Sequence, residues 1–341
     1  MTAIESPEDL CELRATEDKG LGLFATRDIQ AGEQVILDRQ ILGCRDYPDL
    51  AQRTFEAIRE FDKLSKSDQD DYLSLYSWQE PTVVEELRQL LAGPTHGAIP
   101  LDQIEPSIRV VTILRSNGFQ QYENRLGEDG EVAWGRRTVF PWASRFNHSC
   151  DPNLVWSTSW VPGYWQARAN RDIEEGTELT ISYVPAGLPH EERRKQLSRY
   201  WGFICACDLC ERSDSAVDEE TKDARQTLQE GYEQEGGTIA VQQGTSEEII
   251  TRYERRIQIL DQPRSLSQLY FAYLDAADFC QHLAENNSKE ELAHLEERVQ
   301  LLEQAYATGV QVWGPGDQMV LDTAWHIKTL KQRLGKAGVS V

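Results

Sequence analysis

Apolar and polar residues alternate over residues 10–43, and glycines interrupt the alternation several times. A period of two places successive side chains on opposite faces of a strand, so this region predicts short strands joined by turns. From residue 50 to 92 the spacing becomes helical, with a break at Pro81. Another helical pattern begins at Pro106, because proline favours a helix start, and stops at Asn117-Gly118.

Strand-like runs rich in Val, Trp, Thr and Tyr return over residues 132–184, and a cysteine-bearing loop follows. A polar, acidic stretch at 211–220 predicts a linker. Beyond it, apolar residues recur every three or four positions, as in helices that pack along one face. One such stripe covers residues 250–260, and another consists of Leu292, Leu295, Val299, Leu302 and Tyr306.

These patterns predict an α+β protein of two domains, in keeping with its 341 residues. The first domain is β-rich, covers residues 1–212 and has a helical insert at about 45–116. The second covers residues 213–341 and is all-α, either a helix bundle or a tetratricopeptide-like stack. A repeat of 34 residues is not evident in it.

The charge of the chain constrains its partners. Its 57 acidic and 35 basic residues give a net charge of −22. Direct nucleic-acid binding is not expected, because phosphates require a basic patch. An acidic surface attracts a basic protein partner, although acidity also serves solubility alone. The sequence has neither a long apolar run nor a secretory signal, so we expect no membrane contact and a location in the nucleus and/or cytoplasm. We also expect a monomer.

Three cysteines lie within six residues, at Cys205, Cys207 and Cys210, and predict a metal site. Tetrahedral Zn²⁺ needs a fourth ligand, and Cys150 is the best candidate because it sits in a loop before Asp-Pro. Four thiolates leave no open coordination position, so the predicted role of the zinc is structural. The alternative is a set of buried or redox-active cysteines.

Four blocks of sequence together resemble a SET-domain protein lysine methyltransferase. They are Lys19–Ile29, Arg145–Asn153, Gly176–Tyr183 and Cys205–Cys210, and they occur in the order of that family. Arg193–Leu197 is similar to the SMYD-type branch, as are the C-terminal helices. That branch usually carries a MYND zinc finger, whereas residues 45–110 contain one histidine and no cysteine. We therefore expect a metal-free helical insert without MYND-mediated partner binding.

The resemblance implies roles for individual residues. Tyr183 is the implied catalytic residue, and a post-SET zinc loop is implied at 203–212. The residues alone leave alternatives open. They are an ordinary turn for Gly20 and Gly22, a structural role for His148, and a half-buried strand position for Tyr183. Leu21 also lacks the polar side chain that is common at its position. The implied contacts to S-adenosylmethionine are Lys19, Gly20, Leu21, Gly22, Asn117, Asn147, His148, Tyr183 and Phe203.

The implied function is S-adenosylmethionine-dependent methylation of lysine side chains in histone or non-histone proteins, with chromatin as one setting. A sulfonium methyl group is already activated, so the protein's task is to position and desolvate a neutral lysine amine. The alternative is a catalytically silent SET-domain scaffold or a transcription-associated interaction protein. The sequence does not identify the target lysine or the degree of methylation.

Overall fold

A computed structural model describes residues 10–93, 99–121, 135–158, 163–184, 188, 190–211, 266–286 and 289–339. The predicted linker, apart from its first residue, and the predicted stripe at 250–260 lie outside these ranges. Within them the α+β prediction is confirmed, with the strands in the first part of the chain and long helices in the last. The domain boundary at 212/213 stays a prediction.

The strands form three small sheets, with the orders β1-β2-β10-β7, β3-β9-β8 and β4-β6-β5. Short strands and frequent turns follow from the alternating, glycine-broken pattern of the sequence. The strands are β1 (Cys11–Ala15), β2 (Leu21–Ala25), β3 (Gln34–Arg39), β4 (Leu42–Arg45), β5 (Phe119–Gln121), β6 (Arg136–Val139), β7 (Asn147–His148), β8 (Leu154–Thr158), β9 (Tyr164–Ala169) and β10 (Glu178–Ile181).

The first sheet brings three distant motif segments together. β10 pairs antiparallel with β2, where Glu178 lies opposite Phe24. On its other side β10 pairs parallel with β7, and Thr180 lies opposite Asn147. Segments separated by more than a hundred residues therefore meet along one strand, β10.

The main core lies between the first two sheets and contains apolar residues of β2, β3, β8, β9 and β10. Trp165 is fully buried there. Its ring lies 5.3 Å from that of Phe119, 5.9 Å from Phe146 and 6.0 Å from Trp156, measured between centroids. Phe146 directly precedes β7, so this aromatic packing anchors the segment that enters the site.

The insert is helical, as expected, and contains α1 (Leu50–Asp62), α2 (Lys66–Leu73), α3 (Pro81–Ala92) and α4 (Leu101–Asn117). One boundary prediction was wrong, because α4 begins at Leu101 and Pro106 lies inside it. Proline in an interior position removes one hydrogen bond, to the carbonyl four residues earlier. That residue, Asp102, is exposed, so water can satisfy its carbonyl.

A short helix α5 (His190–Trp201) and a single turn α6 (Asp208–Glu211) flank the cysteine loop. Three long helices follow: α7 (Leu266–Asn286), α8 (Glu291–Trp313) and α9 (Gln318–Lys336). The predicted stripe on α8 is confirmed for Leu295, Val299 and Leu302, which are buried. It was wrong for Leu292, which is exposed, and Tyr306 is half-buried. In the described part of the chain, no helix is long and apolar enough to cross a membrane.

The long helices dock against the second sheet. The Gln166 side chain on β9 donates a hydrogen bond to the Trp313 carbonyl at 3.1 Å. Val155 on β8 packs against the cluster formed by Tyr270, Ala305, Val312, Trp313 and Val320. The C-terminal helices therefore brace the sheet that backs the core.

Candidate functional site

The turn before β2 is shaped by two glycines. Gly20 has a φ of +79°, a left-handed conformation that glycine adopts without strain. At Gly22 a Cβ atom would lie 2.8 Å from both Asn147 Nδ2 and Glu178 Oε1. A side chain at position 22 would therefore displace the ends of two polar side chains from β7 and β10.

Those two side chains belong to a small network. Asn147 Nδ2 donates to Glu178 Oε1 at 2.8 Å and to the Leu21 carbonyl at 3.1 Å. Lys19 Nζ donates to Glu178 Oε2 at 2.7 Å. The structure therefore unites Lys19, Leu21, Gly22 and Asn147 around the carboxylate of Glu178.

Sequence reasoning missed Glu178. The available signal was a carboxylate at the start of an otherwise uncharged strand inside the Gly176–Tyr183 block. Its partners lie 159 and 31 residues away in the sequence, so only the sheet topology reveals them.

Both ring nitrogens of buried His148 are occupied. The Tyr183 backbone N–H donates to His148 Nδ1 at 3.0 Å, so the proton resides on Nε2, which lies 3.2 Å from Cys150 Sγ. Burial lowers the pKa of His148 to about 4, and the ring is neutral at physiological pH. The imidazole thus has a structural role, and only the backbone of His148 remains for contact with a ligand.

Tyr183 lies two residues beyond the end of β10. Its hydroxyl donates a hydrogen bond of 2.5 Å to the Phe146 carbonyl. Burial, with smaller contributions from Glu178 and Tyr76, raises the pKa of Tyr183 above its usual value. The hydroxyl stays protonated at neutral pH and its lone pairs remain free to accept a hydrogen bond.

An aromatic wall surrounds Tyr183. Its ring centroid lies 5.1 Å from Trp201, 5.3 Å from His148 and 6.5 Å from Phe203. Phe203 also lies 6.1 Å from His148. The structure therefore places Phe203 beside Tyr183 and His148, at the junction between the site and the cysteine loop.

The helical insert holds this wall in place. Trp201 Nε1 donates to the Ser116 carbonyl at 2.8 Å, and the Tyr76 hydroxyl donates to the Trp201 carbonyl at 2.9 Å. Asn117 Nδ2 donates to the Tyr76 carbonyl at 2.7 Å and to that of Ile113 at 2.8 Å. Asn117 therefore uses its amide hydrogens to fix the insert, and its predicted contact with a cofactor stays a prediction.

A second buried carboxylate supports the segment that precedes β7. Asp38 Oδ2 accepts backbone N–H bonds of 2.8 Å from both Trp142 and Ala143. These groups begin the 3₁₀ turn at Ala143–Arg145, which leads into Phe146. Burial raises the pKa of Asp38 to about 6, although the two hydrogen bonds act in the opposite direction.

The four cysteines predicted as ligands converge. The sulfur atoms of Cys150, Cys205, Cys207 and Cys210 all lie within 4.8 Å of one another. Cys150 Sγ lies 3.9 Å from Cys205 Sγ and 3.5 Å from Cys210 Sγ. Tetrahedral zinc with Zn–S bonds of about 2.3 Å requires sulfurs roughly 3.8 Å apart. The donor set and its spacing fit structural Zn²⁺.

Arg193 adds positive charge to this cluster. Arg193 Nε lies 3.2 Å from Cys150 Sγ, Nη2 lies 3.9 Å from Cys210 Sγ, and Nη1 donates to the Leu188 carbonyl at 2.7 Å. The residue is only 3% exposed. Four thiolates around Zn²⁺ carry a net charge of −2, so a buried guanidinium in this position offsets part of it.

Comparison with known proteins finds a family model that matches most of the β-rich region. Residues 20–184 match the model of the SET domain. Two of the four blocks that resembled this family fall wholly within the match, and so does the Lys19–Ile29 block apart from its first residue. The match also encloses the insert, β7 and β10.

Relatives share this region to different extents. The Arabidopsis thaliana protein named histone-lysine N-methyltransferase ATXR4 is 23% identical over 283 residues, covering 58% of this chain and 85% of its own. Human histone-lysine N-methyltransferase SMYD3 is 44% identical over 85 residues, which are 25% of this chain and 19% of its own. Saccharomyces cerevisiae SET6, a potential protein lysine methyltransferase, is 36% identical over 115 residues, which are 31% of this chain and 30% of its own. The chain thus spans less than a third of the last two relatives.

A similar solved structure is the SET domain of LSMT bound to lysine and AdoHcy. It is 14% identical, has a TM-score of 0.40, and the alignment covers 97% of this chain and 89% of that one.

Proposed function

We propose that this chain, whose residues 20–184 form a SET domain, is a protein-lysine N-methyltransferase that uses S-adenosylmethionine. The observation that carries the proposal is the convergence along β10 of Gly22, Asn147 and Tyr183, with Lys19 held at its edge. These residues come from separate motif blocks, and the fold supplies a backbone turn, polar side chains and an oriented phenol at one place.

The chain's own residues suit methyl transfer without acid–base machinery at Tyr183. S-adenosylmethionine supplies a methyl group that is already activated on a sulfonium. Since the Tyr183 hydroxyl donates its hydrogen bond to the Phe146 carbonyl, its oxygen can only accept a hydrogen bond from an incoming amine, which it would orient for attack. Tyr183 is therefore the proposed catalytic residue, acting by orientation. Trp201 and Phe203 help to exclude water from its surroundings.

For the cofactor, we propose contacts through Lys19, the backbone of 20–22, Asn147 and the backbone of His148. Lys19 is 43% exposed and can turn toward a carboxylate of the bound molecule. Zn²⁺ would be held by Cys150, Cys205, Cys207 and Cys210 and would act structurally, because four thiolates leave no position for a substrate.

The substrate in this proposal is a lysine-containing segment of a basic protein. The relatives above are named for histone-lysine methylation, which makes histones the first substrates to test and the nucleus the first compartment to examine. A net charge of −22 supports attraction of a basic segment.

The test combines cofactor titration with transfer. We expect isothermal titration to show S-adenosylmethionine binding by the zinc-loaded protein, and labelled methyl groups to appear on core histones or on lysate proteins. The matched control is the same protein mixture with its lysines blocked by acetylation, which makes them non-nucleophilic amides that should accept no label. Binding without transfer to any mixture would favour the silent scaffold. Absence of binding would refute the enzyme proposal and favour an interaction protein.

A further inference from the structure

We propose that Glu178 is the positioning residue of the cofactor site, a role that rests on the function proposed above. Its carboxylate is the shared partner of Lys19 and Asn147, which come from opposite sides of β10. Each of its oxygens accepts one hydrogen bond from a different partner. Rotation of the Glu178 side chain would therefore release both residues at once.

The position of the carboxylate is constrained by packing. Glu178 begins β10, whose neighbours on the two sides are β2 and β7. Glu178 Oε1 occupies the space where a Cβ at position 22 would lie, 2.8 Å away, so Gly22 leaves room for it. The side chain is 19% exposed, against 43% for Lys19. The less mobile partner of this ion pair thus holds the more mobile one beside the turn.

The charge of Glu178 matters for this geometry. A carboxylate accepts from an ammonium group and an amide at the same time through two separate oxygens, and its bonds to charged donors are the stronger kind. In Glu178→Gln one of the two acceptors becomes an NH₂ group, which cannot accept from either partner. The variant keeps the size of the side chain but can hold only one of Lys19 and Asn147.

The experiment is isothermal titration of the full-length, zinc-loaded protein with S-adenosylmethionine and, separately, with S-adenosylhomocysteine. We expect Glu178→Gln to bind both ligands roughly 10-fold or more weakly than wild type, on the scale of a lost charge-assisted hydrogen bond. The loss should be equal for the two, because positioned side chains act on the parts that both molecules share. Glu174→Gln is the matched control, an exposed carboxylate four residues upstream, and should bind as wild type does.

A second variant, Lys19→Met, distinguishes a binding defect from a folding defect and tests whether Lys19 and Glu178 act together. Lys19 is largely exposed, so Lys19→Met should leave the melting temperature unchanged while it weakens cofactor binding. In the Lys19→Met background the effect of Glu178→Gln should be smaller than in wild type, since part of its role is already lost.

Three outcomes overturn the assignment. Wild-type affinity in Glu178→Gln shows that the carboxylate positions nothing. A loss confined to S-adenosylmethionine shows that it acts on the sulfonium charge and not through its partners. Fully additive effects of the two substitutions show that Lys19 is held independently. If wild type itself binds neither ligand, the proposed function fails first, so the two failures are distinguishable.

Discussion

Replacing Tyr183 by phenylalanine removes one hydroxyl from the centre of the site. That hydroxyl donates a 2.5 Å hydrogen bond to the Phe146 carbonyl, which is buried. The carbonyl would lose its partner, at a cost of about 1–3 kcal/mol in the free energy of unfolding. The protein should nevertheless fold, because domains have about 5–15 kcal/mol of stability.

The catalytic effect should be larger than the structural one. Because the hydroxyl donates to the Phe146 carbonyl, its oxygen acts as the acceptor that orients the amine. The ring of phenylalanine has no oxygen that could take this role. We expect the rate of methyl transfer to fall roughly 100-fold or more, the scale of the loss when a reacting group is misplaced. That corresponds to at least about 2.7 kcal/mol of activation free energy. Cofactor affinity should change little, because the network at Lys19 does not involve the hydroxyl.

Tyr72→Phe is the matched control. The Tyr72 hydroxyl is also buried and donates to a backbone carbonyl, that of Val110, at 2.8 Å. It lies in the core of the insert, so its loss should lower stability to a similar degree without affecting transfer. The assay compares both variants with wild type for single-turnover transfer from labelled cofactor to histones, alongside melting temperature. Equal rates for wild type and Tyr183→Phe would refute the orienting role. Equal losses of transfer rate in Tyr183→Phe and Tyr72→Phe would show that the effect of Tyr183 is one of stability alone.

Three further predictions concern the surroundings of the site. Burial raises the pKa of Asp38 from 3.8 to about 6. The folded protein therefore keeps a proton that the unfolded chain releases, and this group should lower the free energy of unfolding by about 3 kcal/mol as pH rises through that window. The Asp38→Asn side chain does not titrate, so the melting temperature of this variant should rise relative to that of wild type between about pH 4 and about pH 7. A difference in melting temperature that stays constant over this range would contradict the linkage. Gly22→Ala should displace the ends of the Asn147 and Glu178 side chains and so weaken cofactor binding. Gly20→Ala meets no atom within 4 Å and should cost only about 1–2 kcal/mol of backbone strain, so equal affinities of the two variants in cofactor titrations would disprove the distinction. Cys207→Ser should lose zinc, measured by elemental analysis, and melt at a lower temperature, while Cys280→Ser, a buried cysteine outside the cluster, should retain the metal.

Much of the site could be predicted because its residues carry chemistry that few other roles require. Three cysteines within six residues call for a fourth, and Cys150 indeed completes the cluster. The strand and helix patterns likewise predicted the α+β class, since hydrophobic periodicity reflects burial directly. The error at α4 arose because proline is frequent at helix starts, so the pattern places Pro106 near the start of a helix that begins at Leu101.

The remaining features depend on which segments become neighbours. The role of Glu178 follows from its position between β2 and β7, and a parallel pairing such as that of β7 and β10 leaves no local signal in the sequence. Asn117 shows the same limit, because its partner Tyr76 lies 41 residues away in the insert. For His148, the sequence suggested a ligand contact or a structural role. The hydrogen bonds to Tyr183 and Cys150 assign the ring to the structural role and define its tautomer.

The cysteine cluster and the helical insert act on Tyr183 from different directions. His148 connects the Cys150 sulfur to the Tyr183 backbone, and Trp201 packs on the Tyr183 ring while its indole bonds to the insert at Ser116. The route through Trp201 does not involve the Lys19–Glu178–Asn147 network, whereas His148 directly follows Asn147 on β7. Damage to the insert should therefore disturb the orientation of the phenol more than the hold on the cofactor, whereas metal loss should affect both. The arrangement separates binding, which is centred at the start of β10, from methyl transfer, which is centred beyond its end.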